Sequence, residues 1–333
     1  MTLIREFFER WMPRKPAPVS VRRTGRKIEN SRSIPLADRS QWGRKLASGE
    51  FVTTVEIAPP RGWEPQHILD AARVLKDNHV DAVNIPDGPR AITRMSAQHL
   101  SILIHQQIGI EPILHYTCRD RNLLGMMADM LGLYAVGIRN LLLITGDPLK
   151  MGDFPNAAPV FDVDSIGLTR MVHHLNQGID PGGNPIGKPT GYVIGVGLNP
   201  NAMDMEREIQ RFEQKVAAGA DFAITQPLFD IDGFLRFREK IAHLRIPIIA
   251  GIWPLVSAKN AEFMNSELPG AMVPAGIIDR IRAAKTKEEA LQEGLAITRE
   301  MVRQLRDHVQ GIQISAPLGK IDFALSVLDI LKH

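Results

Sequence analysis

From Phe51 onward, short apolar runs alternate with longer amphipathic segments. The apolar runs are rich in β-branched residues, and Leu141–Ile144 shows no polar alternation, which is typical of a parallel strand covered on both faces. The longer segments have helical periodicity, with Leu69, Ala72 and Leu75 on one face of the first. This rhythm predicts strands and helices in strict alternation.

The pattern predicts eight strands, over Phe51–Ile57, Asp81–Ile85, Glu111–Thr117, Arg139–Thr145, Gly191–Gly195, Asp221–Gln226, Ile246–Ile252 and Gly311–Ser315. It predicts helices over Gln66–Asp77, Ser96–Gln107, Asp120–Val136, Asp164–Asn176, Ala202–Ala218, Gly233–His243, Ile277–Ala284, Lys287–His308 and Asp322–Lys332. Eight strands with intervening helices predict a closed (β/α)₈ TIM barrel of the α/β class. Two helical segments precede the last strand, so we expect one of them to be an insertion.

Composition adds limits to this fold. The chain has 333 residues, of which 44% are hydrophobic, which is enough apolar material for one large core. The single cysteine, Cys118, allows no intrachain disulfide and favours a reducing, cytoplasmic location. His115 and Cys118 alone do not make a zinc site, so no metal is predicted. No apolar run reaches membrane-spanning length.

The first 50 residues differ from the rest and predict a separate N-terminal extension. They hold twelve Lys and Arg against five Asp and Glu, whereas residues 51–333 carry a net charge of about −4. We expect residues 1–50 to be a flexible extension or a docking arm for a sister subunit or partner protein, and residues 51–333 to be the barrel domain. The body lacks the basic charge of a nucleic-acid enzyme.

Polar side chains follow the carboxyl ends of the predicted strands, where barrels of this kind carry their chemistry. Glu56 and Asp147 are the two acids there, and nearby ends hold Asn84, His115 and Gln226. Burying such groups is costly unless a ligand or a hydrogen-bonded network satisfies them, so we interpret them as a candidate site. Each has a structural alternative: Glu56 could be an ion-pair partner, and Asp147 could cap the next segment.

Five motifs fall in order along the chain, at Val55–Arg61, His115–Cys118, Ile144–Pro148, Ala223–Asp230 and Pro247–Pro254. Together they resemble the methylenetetrahydrofolate reductase family, over roughly residues 50–315. A further segment, Asp81–Ser96, is most similar to the reductase half of bifunctional homocysteine methyltransferase–reductase proteins.

The resemblance implies a barrel that binds FAD at its C-terminal mouth and reduces 5,10-methylenetetrahydrofolate to 5-methyltetrahydrofolate, by ping-pong hydride transfer from NAD(P)H. It implies that Glu56 is the general acid, which suits a buried carboxyl of raised pKa. Asp147 would serve both flavin and pterin, and Gln226 and Phe263 would contact the folate. The positions implied to contact FAD are Asn84, His115, Thr117, Thr145, Gly146, Asp147, Glu208 and Lys215.

Two positions depart from the family pattern. Thr145 stands where some members carry an arginine at the flavin, so part of the phosphate binding must come from elsewhere. Asn199 precedes Pro200 where other members have His-Pro. Glu208 and Lys215 lie seven residues apart and hence on one helix face, which could also be a solvated face.

Three other functions stay open on the sequence. The chain could be a reductase of the same fold that draws electrons from a partner protein, with the basic extension as the docking site. It could also be a folate-binding or regulatory subunit without turnover, although Glu56, Asp147 and Gln226 together speak against this. A methyltransferase without flavin would need an activated thiol site that one cysteine does not supply. We expect a homo-oligomer, and we leave the choice between NADH and NADPH open.

Overall fold

The structure is a computed structural model that describes residues 33–267, 271–316, 319 and 321–331. Within these residues, eight parallel strands form a closed barrel in sequence order, so the predicted TIM barrel is confirmed. The strands are β1 (Val52–Glu56), β2 (Ala82–Ile85), β3 (Glu111–Thr117), β4 (Asn140–Ile144), β5 (Val193–Leu198), β6 (Phe222–Thr225), β7 (Ile248–Ile252) and β8 (Gly311–Ser315). β8 closes the barrel by pairing with β1 along its whole length.

Helices follow the strands and cover the outside of the barrel. In chain order they are α1 (Leu36–Arg39), α2 (Gln41–Ser48), α3 (Gln66–Asp77), α4 (Ala97–Gln107), α5 (Leu123–Ala135), α6 (Ser165–Asn176), α7 (Met205–Ala217), α8 (Ile231–Lys240), α9 (Ala258–Glu267), α10 (Ala275–Arg282), α11 (Lys287–Leu305) and α12 (Ile321–Leu328). Short 3₁₀ turns at Pro89–Ala91 and Leu149–Met151 lie in the loops after β2 and β4. The part of the chain described here contains no helix long and apolar enough to cross a lipid bilayer.

Most predicted elements are found within a few residues of their predicted bounds, and among the strands β5 differs most. We predicted it at Gly191–Gly195, but it runs from Val193 to Leu198. Glycine is a poor strand former, which made Gly195 look like a terminus. Inside the barrel it is required, because a Cβ at Gly195 would lie 2.4 Å from the ring of Phe222.

Helix starts are fixed by side-chain caps that the sequence already contained. Asp164 accepts hydrogen bonds from the backbone N–H groups of Ile166 and Gly167 at the start of α6. Asp230 likewise accepts from Gly233, so α8 begins at Ile231, two residues earlier than predicted. Such caps each stabilise a helix by about 1 kcal/mol. Among the described residues, three helices lie between β7 and β8, one more than the two predicted there, so this connection is longer than a single covering helix, as expected.

The first two helices close the bottom of the barrel, at the N-terminal ends of the strands. Trp42 is only 1% exposed and packs in the barrel interior with Val52, Ile113 and Phe222. Its ring meets the Phe222 ring edge-on, with 5.7 Å between centroids. The barrel unit therefore includes residues before 51, where we placed the boundary, because Trp42 supplies a large apolar side chain to the barrel interior.

Polar contacts tie these helices to the starts of several strands. The Glu111 carboxylate accepts hydrogen bonds from the backbone N–H groups of Gln41 and Trp42, each at 2.9 Å. Arg39 forms a 2.9 Å ion pair with Asp221, and Lys45 pairs with Asp81. The predicted basic docking arm falls largely on residues 1–32, which lie outside the described residues.

Candidate active site

The predicted site residues all lie at the C-terminal side of the barrel, and the contacts sort them into a few clusters. Glu56, the last residue of β1, is half-buried, and its backbone pairs with Asn84 on one side and Ser315 on the other. Burial raises the pKa of its carboxyl to about 7, while a hydrogen bond with the Ser315 side chain acts in the opposite direction. A carboxyl in this state holds a transferable proton near neutral pH.

Asn84 and His115 form a hydrogen-bonded chain beside Glu56. The Asn84 Nδ2 donates to the Thr54 hydroxyl at 2.6 Å, and its Oδ1 lies 2.9 Å from His115 Nε2. Burial lowers the pKa of His115 to about 3, so the imidazole is neutral at neutral pH. With Asn84 assigned this way, Nε2 carries the proton, and Nδ1 is left as an acceptor.

A cavity of about 210 Å³ lies beyond the ends of β4, β5 and β6, against α7. Four of the predicted site residues line it together, namely Thr145, Glu208, Lys215 and Gln226. Gly197 also lines the cavity. The space in front of its Cα is open, because a Cβ at this position would have one neighbouring atom within 4 Å, on the Ile144 side chain at 3.9 Å. Any larger residue at position 197 would occupy the cavity. Glu56, Asp147 and Phe263 are not among the lining residues.

Two cations on α7 give this cavity its charge. Lys215 is buried, its ammonium donates to the Gly197 carbonyl at 2.7 Å, and burial lowers its pKa. Arg211 lines the same cavity and pairs with Asp164 at 3.0 Å. The sequence analysis missed Arg211, although its spacing of four residues from Lys215 and three from Glu208 places it on the same helix face.

Asp147 lies at the exposed rim, where the loops after β2 and β4 meet. Its carboxylate accepts a 2.6 Å hydrogen bond from the backbone N–H of Arg90. Arg90 and Ala91 have φ values of +58° and +54°, a region costly for residues other than glycine. The Arg90 guanidinium lies 5.3 Å from the centre of the Phe263 ring. Arg90 therefore connects Asp147 to Phe263, the two rim residues predicted to hold the substrate.

Thr117 and Gly146 pack against each other under this rim. A Cβ at Gly146 would lie 3.1 Å from the Thr117 Cβ, and the residue has a φ of +98°, so glycine is needed here. The backbone N–H and the hydroxyl of Thr117 both donate to Asp87. The hydroxyl of Thr117 is thus engaged within the protein, and its predicted contact with FAD stays a prediction.

Arg119 is a second residue to which the sequence analysis gave no role. It is 3% exposed, and its guanidinium donates to the Asp147 carbonyl at 3.1 Å and to both Asp120 carboxylate oxygens at 2.8 Å. It thereby holds the loop that carries Asp147 against the end of β3. The sequence feature that pointed to Arg119 is its position directly after the His115–Cys118 motif.

Among the described residues, no group of three or more His, Cys, Asp or Glu side chains is arranged to hold a metal ion. The site thus consists of a half-buried acid, a neutral imidazole, a cavity with two cations and an acid-bearing rim at the mouth of a TIM barrel. These are the features of a barrel enzyme that binds an anionic ligand and transfers a proton.

Comparison with known proteins identifies the family. The profile of the family described as methylenetetrahydrofolate reductase matches residues 41–318, and the chain belongs to this family. It is 29% identical to methylenetetrahydrofolate reductase 2 of Schizosaccharomyces pombe over 311 residues, which cover 87% of this chain and 46% of the yeast protein. It is 26% identical to the 5,10-methylenetetrahydrofolate reductase of Salmonella typhimurium over 234 residues, which cover 67% of this chain and 73% of that protein.

The chain therefore spans about half the length of the yeast relative that it matches. A solved structure from Clostridium thermocellum shares the fold, with a TM-score of 0.57 at 17% identity. It covers 87% of this chain and 99% of its own, and is described as an uncharacterized protein that binds two copies of 5-methyl-5,6,7,8-tetrahydrofolic acid. The family resemblance predicted from the motifs is confirmed, whereas the closer similarity to the bifunctional proteins stays a prediction.

Proposed function

We propose that this chain reduces 5,10-methylenetetrahydrofolate to 5-methyltetrahydrofolate with NAD(P)H, using FAD bound at the C-terminal mouth of the barrel. The observation that carries the proposal is Glu56, an acid at the end of β1 whose pKa burial raises to about 7. Membership of the reductase family supplies the substrate class.

The residues around the cavity fit FAD. Arg211 and Lys215 offer two cations to a pyrophosphate, and Arg211 supplies positive charge where Thr145 replaces the arginine of some family members. Gly197 leaves room for a group to lie directly against β5. The neutral His115 can accept a hydrogen bond through Nδ1 from a ring N–H. When bound there, FAD would carry reducing equivalents from NAD(P)H to the folate.

Glu56 provides the proton that the folate needs. The methylene bridge must open to an iminium before it can be reduced, and opening requires protonation of the leaving nitrogen. A carboxyl with a pKa of about 7 is protonated in a large fraction of molecules at neutral pH and still donates readily. Glu56 therefore delivers the proton, and the half-buried position limits its exchange with solvent.

The other predicted residues orient the substrate. Asp147 accepts hydrogen bonds from the amino edge of the pterin, at the rim where Arg119 and the Arg90 backbone hold it. Gln226, at the end of β6, offers both a donor and an acceptor to the folate. Phe263, which is 38% exposed, packs its aromatic ring against the aminobenzoyl group. A barrel of the same fold from Clostridium thermocellum accommodates 5-methyltetrahydrofolate, which is the product proposed here.

A visible spectrum tests the proposal. The purified full chain, reconstituted with FAD, should show a flavin spectrum that NADH or NADPH bleaches under anaerobic conditions. Adding methylenetetrahydrofolate should then restore the spectrum and form methyltetrahydrofolate. A protein that binds no FAD, or one whose bleached spectrum does not respond to methylenetetrahydrofolate, would overturn it. A flavin that neither NADH nor NADPH bleaches, but that dithionite reduces and the folate reoxidises, would favour the partner-dependent reductase.

A further inference from the structure

Glu56 lies where β1 pairs with β8 and closes the barrel, and the residue paired with it on β8 is a serine. Glu56 and Ser315 are paired residues of β1 and β8, although 258 residues separate them in the chain. Paired residues in adjacent strands project to the same side of the sheet, so the Ser315 hydroxyl and the Glu56 carboxyl face the same side of the barrel wall. The Ser315 side chain acts on the carboxyl as a hydrogen-bonding group that lowers its pKa.

Ser315 is itself held by a second residue of the same strand. Gln313 lies two positions earlier, on the same face of β8, and its Nε2 donates to the Ser315 Oγ at 3.2 Å. Both side chains are buried, at 7% exposure each. Because the Ser315 oxygen accepts from Gln313, the single hydroxyl proton is free to point at Glu56.

We propose that Ser315, oriented by Gln313, is a positioning residue that holds the Glu56 carboxyl and sets how readily it gives up its proton. A hydroxyl donor stabilises the carboxylate over the protonated acid, so it opposes the effect of burial. Without it, Glu56 would be a weaker acid, and each protonated Glu56 would donate its proton more slowly. This inference rests on the proposed function for its catalytic meaning, but not for its effect on Glu56.

Other groups around Glu56 do not provide this control. On the opposite side, β2 presents Asn84, which does not titrate, and the titratable group behind it is His115. Burial keeps His115 neutral at neutral pH, since its pKa is about 3. Burial raises the pKa of Glu56, and Ser315 lowers it.

The direct test is a pH titration of Glu56 in the Ser315→Ala variant. Infrared difference spectroscopy measures its ionisation through the carboxyl band of Glu56, which is identified as the band that Glu56→Gln removes. The titration midpoint should rise by about one pH unit, the size expected for the loss of one hydrogen bond to a charged group. Gln313→Leu should raise it by a smaller amount, and Ser315→Thr, which keeps the hydroxyl, should restore it. Ser101→Ala, at another fully buried serine on α4, is the matched control and should change nothing.

An unchanged or lowered midpoint in Ser315→Ala overturns the proposal, as does a rise of the same size in Ser101→Ala. The pH profile of methylenetetrahydrofolate reduction gives the second readout. In Ser315→Ala the pH above which the rate falls should be higher, and the rate at acid pH, where Glu56 is protonated in both proteins, should be lower. If the unmodified chain does not reduce the folate at all, the proposed function fails, and the infrared titration still decides the role of Ser315.

Discussion

At the scale of single residues, the site depends on how far each polar group is removed from water. Glu56 is half-buried and His115 is buried, and removal from water shifts each toward its neutral form. For the glutamate this produces an acid that titrates near pH 7, and for the histidine a neutral hydrogen-bonding group. The sequence shows the residue types, but only burial determines these protonation states.

Replacing Glu56 by glutamine should separate the two half-reactions. The amide keeps the size of the side chain but cannot donate a catalytic proton, so folate reduction should fall by at least about 100-fold. Bleaching of the flavin by NADH or NADPH should change little, because that step needs no proton from Glu56. Anaerobic stopped-flow spectroscopy measures both steps, and equal rates of folate reduction in both proteins would exclude Glu56 as the acid.

The pH dependence of the folate step should follow the ionisation of Glu56. The carboxyl must be protonated to act, and its pKa is raised to about 7, so the rate should be constant below that pH. Above it, the rate should fall by about tenfold per pH unit as the carboxylate forms. The rate of flavin reduction by NAD(P)H should not fall in this way above pH 7. A rate of folate reduction that stays constant from pH 6 to about 9 would contradict the role of Glu56 as the acid.

At the scale of secondary-structure elements, one face of α7 forms the charged wall of the cavity. Glu208 accepts from the Asn199 backbone at 2.9 Å and so ties the start of α7 to the end of β5. Arg211 and Lys215 follow on the same face. Helical periodicity placed Glu208 and Lys215 together, and the same periodicity applied to Arg211 would have added the third residue.

Arg211→Ala should weaken FAD binding on the order of tenfold, because it removes one of two cations from the cavity. Arg207→Ala is the matched control, since Arg207 is an exposed arginine on the same helix and does not line the cavity. Flavin fluorescence quenching during titration of the apoprotein measures the dissociation constant. Equal affinities in the two variants would show that α7 does not contribute its arginine to the cofactor.

At the scale of the whole molecule, the two ends of the barrel differ: one carries the candidate site, and the other is closed by helices. The loops at the C-terminal ends of the strands carry the acids, the cavity and the rim, while α1 and α2 close the opposite end with Trp42. This division follows the general separation of activity and stability between the two faces of a TIM barrel. Residues 36–48 thus belong to the stabilising end, although the basic charge of residues 1–50 as a whole had suggested a flexible extension or a docking arm.

Trp42→Ala should lower the free energy of unfolding by about 3–5 kcal/mol, since it removes a fully buried aromatic side chain from the barrel interior. Trp63→Ala is the natural control, because Trp63 is 80% exposed in the loop after β1, and it should change stability by less than about 0.5 kcal/mol. Urea unfolding followed by circular dichroism measures both. Equal stability of the two variants would show that α2 does not seal the barrel.

The sequence by itself determined the alternation of strands and helices, because hydrophobic periodicity records which faces are buried. It also placed Glu56, Asp147 and Gln226 at strand ends, since the motifs follow buried runs directly. It could not show that Ser315 lies beside Glu56, that Arg90 connects Asp147 to Phe263, or that Trp42 fills the barrel. These contacts join residues that are distant in the chain. The closure of β8 onto β1 brings Ser315 to Glu56, the loops over the mouth bring Arg90 to Asp147 and Phe263, and the packing of α2 under the strands places Trp42.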